Sequence, residues 1–200
     1  MKWRKFLACL MFFIALCAWG NSAAIAAKAW LAKGLIRHAW ERTLACAQAG
    51  EKPWPWADTW PVALLRHPYS KGSLYILEGG FGSALAFGPG HIIATASPGG
   101  AETSVLAGHR DTHFAFLQFL QPGDVLNLQD VHGQWHDYGV VSSRVVDSRA
   151  GPWPLPQHSA ELHLITCYPF DALAPGGPLR YVVVARRLPT DALSSITGSN

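Results

Sequence analysis

Residues 161–188 read ELHLITCYPFDALAPGGPLRYVVVARRL. This stretch contains two apolar runs of strand length, Glu161–Cys167 and Tyr181–Leu188. Between them lies Pro175-Gly176-Gly177-Pro178, a cluster of turn-forming residues that interrupts regular structure. The pattern predicts two consecutive β-strands joined by a loop.

The same pattern extends upstream of this stretch. Short apolar runs alternate there with turn formers such as Gly88-Pro89-Gly90 and Pro98-Gly99-Gly100. Seven or eight closely spaced strands indicate a mainly β fold, either a closed barrel or a sandwich. One short helical segment, Thr112–Leu120, is expected to cover one end of this fold with apolar side chains. The other predicted strands are Ser73–Leu77, His91–Ala96, Ser104–Gly108, Val125–Gln129 and Tyr138–Val146.

Composition limits both the size of the core and the class of partner. The chain has 200 residues, of which 50% are hydrophobic, so it can bury one core of ordinary domain size but not two. Its formal net charge is only +3, and its sixteen Lys and Arg residues are scattered. A protein that neutralises many phosphates needs a concentrated basic surface, so we expect no nucleic-acid partner. We predict one domain over residues 62–188 and a flexible tail over residues 189–200.

The N-terminus has the features of an export signal. Lys2, Arg4 and Lys5 precede a run without charged residues from Phe6 to Ala27. This run is long enough to span a bilayer as an uncleaved anchor, whereas the small residues at its end offer cleavage sites for a signal peptidase. In both cases the basic N-terminus stays in the cytoplasm and the rest of the chain is exported. We predict a membrane helix over residues 1–27 and leave its cleavage open.

Residues 28–61 are expected to link this segment to the domain. From Lys28 to Gly50, apolar and basic residues recur at helical spacing, which predicts an amphipathic helix ending at Gly50. This helix either packs on the domain or lies flat on anionic lipid. The segment Pro53–Pro61, here named the tryptophan strap, holds three prolines and three tryptophans and is therefore extended and stiff. We expect it to wrap onto the domain, with a sugar-stacking platform as the alternative.

Cysteine usage argues against a disulfide framework. Cys9 and Cys17 lie in the apolar N-terminal run, which leaves only Cys46 and Cys167 in the exported part. Before its neighbouring residues are considered, three interpretations of Cys167 are open. It is a buried apolar thiol, one half of a disulfide with Cys46, or a reactive thiol.

Three residues capable of chemistry lie at the ends of predicted apolar strands: His109, Cys167 and Arg180. Strand ends are where a rigid scaffold meets solvent, so the three can converge on one rim. A thiol attacks a carbonyl as its thiolate, which a neighbouring imidazolium and guanidinium favour. His109 can then donate a proton to a leaving amine, and Arg180 can stabilise an oxyanion because a guanidinium stays charged.

These residues stand in motifs that resemble those of the sortases. The resemblance rests on Thr166-Cys167 closing a strand, on Arg180 thirteen residues later, and on Gly108-His109 nearly sixty residues earlier. The family motif usually has Thr-Leu before the Thr-Cys pair, whereas this chain has His163-Leu164.

Within the family, the chain is similar to the proteobacterial group called class GN. This finer resemblance rests on the tryptophan strap, on Gly108–Phe114 and on Thr166–Phe170. It implies a closed sortase-type β-barrel preceded by a membrane helix and an amphipathic helix, in the cell inner membrane with the barrel in the periplasm. It also implies that Cys167 is the nucleophile, His109 the general acid/base and Arg180 the oxyanion-stabilising residue.

The resemblance implies a transpeptidase that cleaves an LPXTG-like sorting signal after its Thr and transfers the acyl group from Cys167 to an amine. The partners are then an exported substrate protein, for which a protein with a von Willebrand type A domain is one candidate, and an amine acceptor. No metal or organic cofactor is implied. Ser143–Glu161 occupies the place of the family's substrate-facing loop, and the expected substrate-binding residues are Thr166, Asp111, Trp153 and Tyr168.

Three alternatives remain open at the level of the sequence. His109 and His113 resemble a zinc His-x-x-x-His pair, but Arg110 stands where the zinc peptidase motif has Glu. An L,D-transpeptidase would also use an exported cysteine, although Tyr168-Pro169-Phe170 does not fit its pattern. The third alternative is a non-catalytic barrel that binds glycan or a protein through the tryptophan strap.

Overall fold

The structure is a computed structural model that describes residues 2–82, 84–151, 153–156, 158–172 and 176–189. The predicted tail lies outside these residues except for its first position. In chain order the elements are α1 (Lys2–Cys46), β1 (Pro61–Arg66), β2 (Leu74–Glu78), α2 (Ala84–Phe87), β3 (Gly90–His91), β4 (Ser104–Ala107), a 3₁₀ helix (Ala115–Phe119), β5 (Val125–Gln129), β6 (Trp135–Asp147), β7 (Glu161–Cys167) and β8 (Leu179–Arg187).

The eight strands form one closed barrel in the order β1-β2-β3-β4-β7-β8-β6-β5, which returns to β1. The pairs β2·β3 and β4·β7 are parallel, and the other pairs are antiparallel. Closure leaves no long edge strand exposed. The predicted closed barrel is confirmed, and the sandwich alternative is wrong.

The barrel interior is filled by alternate residues of each strand. On β7, Leu162 and Leu164 belong to the core, and on β8 the core residues are Val183 and Ala185. This alternation follows from the two-residue side-chain period of a strand. The 3₁₀ segment covers one end of the barrel as expected, and the residues it buries there are Phe114, Phe116, Leu117 and Leu120.

Two strands differ from the prediction. The sequence pattern assigns no strand to Pro61–Arg66, because Pro61 ends a segment rich in proline; in the structure Pro61 is the first residue of β1, beside a bulge, where proline is tolerated. The predicted strand His91–Ala96 is reduced to Gly90–His91. Thr95 N donates to Ile92 O over 2.8 Å, which closes a turn and ends the strand.

The N-terminal 45-residue segment Lys2–Cys46 forms one helix rather than the two that were predicted. No proline interrupts residues 2–46, so the predicted membrane segment and the predicted amphipathic segment form one continuous helix. The helix ends at Cys46 instead of Gly50, because Ala47 already adopts a left-handed conformation with φ 50°. Ile36, Ala39 and Trp40 are buried where α1 contacts β1 and β2. Within the described residues, we find no helix with the length and apolarity required to cross a bilayer.

The tryptophan strap packs on the barrel over much of its length. Trp60 lies against the core, and Trp54 meets Phe87 edge to face with ring centroids 5.2 Å apart. The Thr59 hydroxyl donates to Glu78 O over 2.6 Å and is buried. Trp56 remains 83% exposed. Packing therefore accounts for two of the three tryptophans.

The shortest strand, β3, depends on a glycine. A Cβ on Gly90 would lie 2.1 Å from Gly79 O, which is backbone and cannot move aside easily. Gly90→Ala is therefore expected to lower the free energy of unfolding by about 1–3 kcal/mol, measured by urea denaturation. Gly72→Ala is the control, because a Cβ there meets only the Ser70 Oγ at 3.4 Å, and it should stay within about 0.5 kcal/mol of the wild type. Equal stability of the two variants would contradict the close approach.

Candidate active site

The topology brings three chemically capable residues to one end of three adjacent strands. His109 follows β4, Cys167 ends β7, and Arg180 is the second residue of β8. Because β4 and β7 are parallel, their C-terminal ends lie at the same edge, and the antiparallel β8 begins at that edge.

The register places His109 level with Cys167. Ala107 is paired with Ile165, and His109 and Cys167 each follow two residues later. Gly108 N donates to Ile165 O over 3.1 Å, and the Thr166 hydroxyl donates to Gly108 O over 2.7 Å. Neighbouring strands are about 4.8 Å apart, so these two bonds hold the histidine segment beside the cysteine strand. His109 itself is exposed.

Cys167 belongs to the outer face of β7. Leu164 and Thr166 are buried on the core side, whereas Ile165 and Cys167 alternate with them and are half-buried. Cys46 and Cys167 are both free thiols, so the predicted alternative of a disulfide between them is wrong. The cysteine therefore has the partial exposure that a nucleophile requires.

Arg180 is paired directly with Cys167 across β7 and β8. Residues opposite each other in an antiparallel pair have Cβ atoms about 5 Å apart, so the two side chains leave the sheet on the same face. Arg180 Nη1 donates to Gly177 O over 2.6 Å and to Leu179 O over 2.9 Å. These two hydrogen bonds hold the guanidinium at the N-terminal end of β8.

Arg110 is a functional candidate that the sequence analysis did not single out. Its side chain is only 6% exposed, and it donates from Nη1 to Pro169 O over 2.9 Å and from Nη2 to Ala172 O over 2.7 Å. Its Nε donates to Asp111 Oδ1 over 3.0 Å. Arg110 thus ties the loop after the cysteine to the loop that carries the histidine. A basic residue directly after the histidine was the available signal, but its target 59 residues away was not visible in the sequence.

A cleft of about 460 Å³ adjoins these residues on the outside of the barrel. It lies between the β6–β7 loop and the strands β6, β7 and β8. The wall of the cleft includes Ile165, which lies two residues before Cys167 on β7. It also includes Arg180, which is paired with Cys167 across β7 and β8. Its charged groups are Arg144, Asp147 and Arg180, and the hydrogen bonds from Arg149 lower the pKa of Asp147 to about 2. Apolar walls with a few fixed charges suit an extended peptide.

The four expected substrate-binding residues occupy different environments. Thr166 is buried and bonded to Gly108 O, whereas Asp111 is exposed and accepts from Arg110. Tyr168 is half-buried and stacks on Tyr181 with ring centroids 6.2 Å apart. Trp153 lines the cleft. Trp153 is therefore the member of the four that the structure places on the cleft wall.

His113 does not complete a metal site. Burial lowers the pKa of His113, and the nearby positive charges of His109 and Lys33 lower it further. In the part of the chain that the structure describes, no three His, Cys, Asp or Glu side chains cluster as metal ligands. The zinc alternative has no third ligand among these residues.

Comparison with known proteins agrees with this architecture. The family model described as Sortase domain matches residues 66–188. The chain is 34% identical over 126 residues to Sortase D of Bacillus subtilis (strain 168), which covers 62% of this chain and 63% of that protein. Among solved structures, sortase C-1 from Actinomyces oris has a TM-score of 0.56 at 30% identity, covering 65% of this chain and 75% of that one. Sortase A from Corynebacterium diphtheriae has a TM-score of 0.57 at 25% identity, covering 68% and 65%.

The fold defines a closed eight-stranded β-barrel protein, in which Cys167, His109 and Arg180 lie at one end of three adjacent strands and form a candidate site. Because the family model covers more than half of the chain, the chain belongs to the sortase family. It spans less than two thirds of the length of Sortase D and of the diphtherial sortase A.

Arg110→Ala tests the tie between the two loops. Loss of the bonds to Pro169 O and Ala172 O should lower the free energy of unfolding by about 1–3 kcal/mol and speed hydrogen exchange in residues 168–172. Arg149→Ala is the control, because its bond to Asp147 is exposed and should contribute little to stability. Unchanged exchange after the cysteine would show that Arg110 does not hold this loop.

Proposed function

We propose that this protein is a cysteine transpeptidase of the sortase type. The observation that carries the proposal is the register of three adjacent strands, which sets Cys167 beside the His109 segment and opposite Arg180. Membership of the sortase family supports the same assignment. A purely structural cysteine would need neither partial exposure nor an adjacent cleft.

In the proposed reaction, the Cys167 thiolate attacks a peptide carbonyl carbon and forms a tetrahedral intermediate with a negatively charged oxygen. When the C–N bond breaks, protonated His109 gives its proton to the leaving amine and a thioester remains on Cys167. An acceptor amine then attacks the thioester while neutral His109 takes its proton. The new amide leaves, and the Cys167 thiolate and imidazolium are restored.

Arg180 is the proposed donor to the oxyanion. Its bonds to Gly177 O and Leu179 O fix the guanidinium at the start of β8, opposite Cys167. A guanidinium has five N–H groups, more than these two bonds require. A donor held in place before the reaction stabilises developing charge without the cost of reorganisation.

The proposed substrate is an exported protein with an LPXTG-like signal, cleaved after its Thr, with a von Willebrand type A protein as one candidate. The cleft beside Arg180 has room for a short extended peptide, which supports this class of substrate. The acceptor is an amine of unidentified origin. The class GN subgroup is likewise a proposal, which rests on the tryptophan strap, Gly108–Phe114 and Thr166–Phe170.

The proposed location is the cell inner membrane, with the barrel in the periplasm. The support is the sequence of the N-terminus, where basic residues precede the uncharged run from Phe6 to Ala27.

The acyl intermediate gives the direct test of the proposed function. Incubation with a synthetic LPXTG-like peptide, without an amine acceptor, should produce a thioester that intact-mass spectrometry detects and hydroxylamine removes. Cys167→Ala should give no adduct, whereas Cys46→Ala should give as much as the wild type, because Cys46 lies on the end of α1. An adduct that survives in Cys167→Ala would refute the assignment. Absence of any adduct and of fast Cys167 labelling would favour the non-catalytic binding protein.

Arg180 is tested by comparing three substitutions. Arg180→Ala should reduce turnover roughly 100- to 1000-fold, because loss of one oxyanion donor costs about 2.7–4 kcal/mol in the barrier. Arg180→Lys should recover little, since an ammonium lacks the planar fork of the guanidinium. Arg37→Ala is the control, because that side chain is 70% exposed on α1. Turnover within about twofold of the wild type for Arg180→Ala would assign the oxyanion donor elsewhere.

A further inference from the structure

The outer face of β7 carries a buried polar pair that the proposed chemistry does not use. His163 and Glu161 alternate with the core residues of this strand, yet they are only 2% and 6% exposed. His163 is also the position where the chain departs from the usual Thr of the family motif. Buried polar groups are retained where their hydrogen bonds are satisfied, so the partners of this pair indicate its role.

The hydrogen bonds fix one form of His163. Trp153 Nε1 donates to His163 Nδ1 over 2.9 Å, and His163 Nε2 lies 2.9 Å from Glu161 Oε2. An indole nitrogen can only donate and a carboxylate can only accept. The imidazole must therefore be neutral, with its proton on Nε2 and the lone pair of Nδ1 facing Trp153. Arg186 Nη2 completes the pair by donating to Glu161 Oε1 over 3.0 Å.

Trp153 connects this pair to the cleft. It comes from the β6–β7 loop and lines the cleft that contains Arg180. The Arg144 guanidinium lies 4.4 Å from the centre of its ring, and the bond to His163 fixes its indole edge. The same loop is held further along by the Thr103 hydroxyl, which lies within hydrogen-bond distance of Pro156 O and Ser159 O. The position of this wall therefore depends on a histidine.

We propose that His163 is a positioning residue whose neutral form holds Trp153 as a wall of the cleft, and that a second proton, on Nδ1, releases this wall. The inference rests on the proposed function, because it assigns the cleft to the substrate peptide. The site is then set for binding at neutral pH and is weakened in acid.

The surrounding charges determine which contact is lost. Burial raises the pKa of Glu161, but the hydrogen bonds from His163 and Arg186, together with the electrostatic attraction of both side chains, hold it below its usual value. The carboxylate thus stays charged in mild acid and keeps its bond to His163 Nε2. The second proton must enter at Nδ1, where the Trp153 N–H already points. Two donors then face each other, and the indole loses its acceptor.

The charges around His163 act in both directions, because the carboxylate of Glu161 favours a second proton and the guanidinium groups of Arg186 and Arg144 oppose it. On β7 the neighbour is Glu161, on β8 it is Arg186, and on β6 it is Arg144, which lies over the indole. On the side of β4, the uncharged neighbours are Val105 and Thr103, which directly precedes the strand. Only histidine among these side chain types ordinarily changes charge between pH 5 and pH 8.

The test uses the indole N–H signal of Trp153 in a two-dimensional ¹H–¹⁵N spectrum, which is the signal absent from Trp153→Phe. Between pH 8 and pH 5 this signal should shift along a one-proton titration in the wild type. It should stay fixed in His163→Gln, which can accept from Trp153 and donate to Glu161 but does not titrate. His132→Gln is the control, because this exposed histidine lies elsewhere and its loss should leave the titration intact. A flat wild-type signal, or the same titration in His163→Gln, would overturn the proposal.

A kinetic measurement distinguishes this role from simple structural support. At pH 7.5, Trp153→Phe should raise KM for the sorting-signal peptide roughly three- to tenfold, as for the loss of one hydrogen bond, with kcat within about twofold. The KM ratio between variant and wild type should approach one at pH 5, where the wild type has lost the same bond. A pH-independent ratio would overturn the proposal. Because the spectroscopic test needs no turnover, a failure of the proposed catalysis would be recognised separately, by absence of the thioester on Cys167.

Discussion

The parallel pairing of β4 with β7 is the constraint on which the site depends. Parallel strands end at the same edge of a sheet, so the residues that follow them meet without any long connection. The bond from the Thr166 hydroxyl to Gly108 O fixes this edge beyond the last paired residues. A Cβ on Gly108 would lie 2.8 Å from the Phe114 ring, so this contact also requires glycine before the histidine. The result is that His109 and Cys167 occupy the same level of the barrel.

The two faces of β7 have different roles, since one face packs in the core and the other faces the candidate site. The inner face contributes Leu162 and Leu164 to the core, which stabilises the barrel. The outer face carries Glu161, His163, Ile165 and Cys167, which form a line from the buried polar pair to the proposed nucleophile. Because the inner face is rigidly packed, the spacing along the outer face is fixed as well. The cleft, its tryptophan wall and the thiol therefore keep their relative positions through one strand.

Loops complete the site, and side chains rather than strand pairing hold them. Arg110 binds the loop after the cysteine, His163 binds the loop before β7, and Arg180 binds the turn that precedes β8. In each of these bonds, an N–H group of a charged or aromatic side chain donates to a backbone or side-chain acceptor. Each bond can break in a local opening of its loop, without unfolding of the barrel. A site with this construction combines a fixed cysteine, the proposed nucleophile, with walls that can adjust to the proposed peptide substrate.

The sequence by itself determined the class of fold and the candidate chemistry. Strand periodicity located seven of the eight strands, and the Thr166-Cys167, Gly108-His109 and Arg180 motifs identified the residues with reactive side chains. It failed at Pro61–Arg66, where proline masked a strand, and at the N-terminus, where two predicted helices form one. Only the tertiary structure shows that Arg110 contacts Pro169 and Ala172 and that His163 contacts Trp153, because these partners lie on other segments. Periodicity and motifs report local preference, whereas strand order and register, which bring distant segments together, follow from closure of the whole barrel.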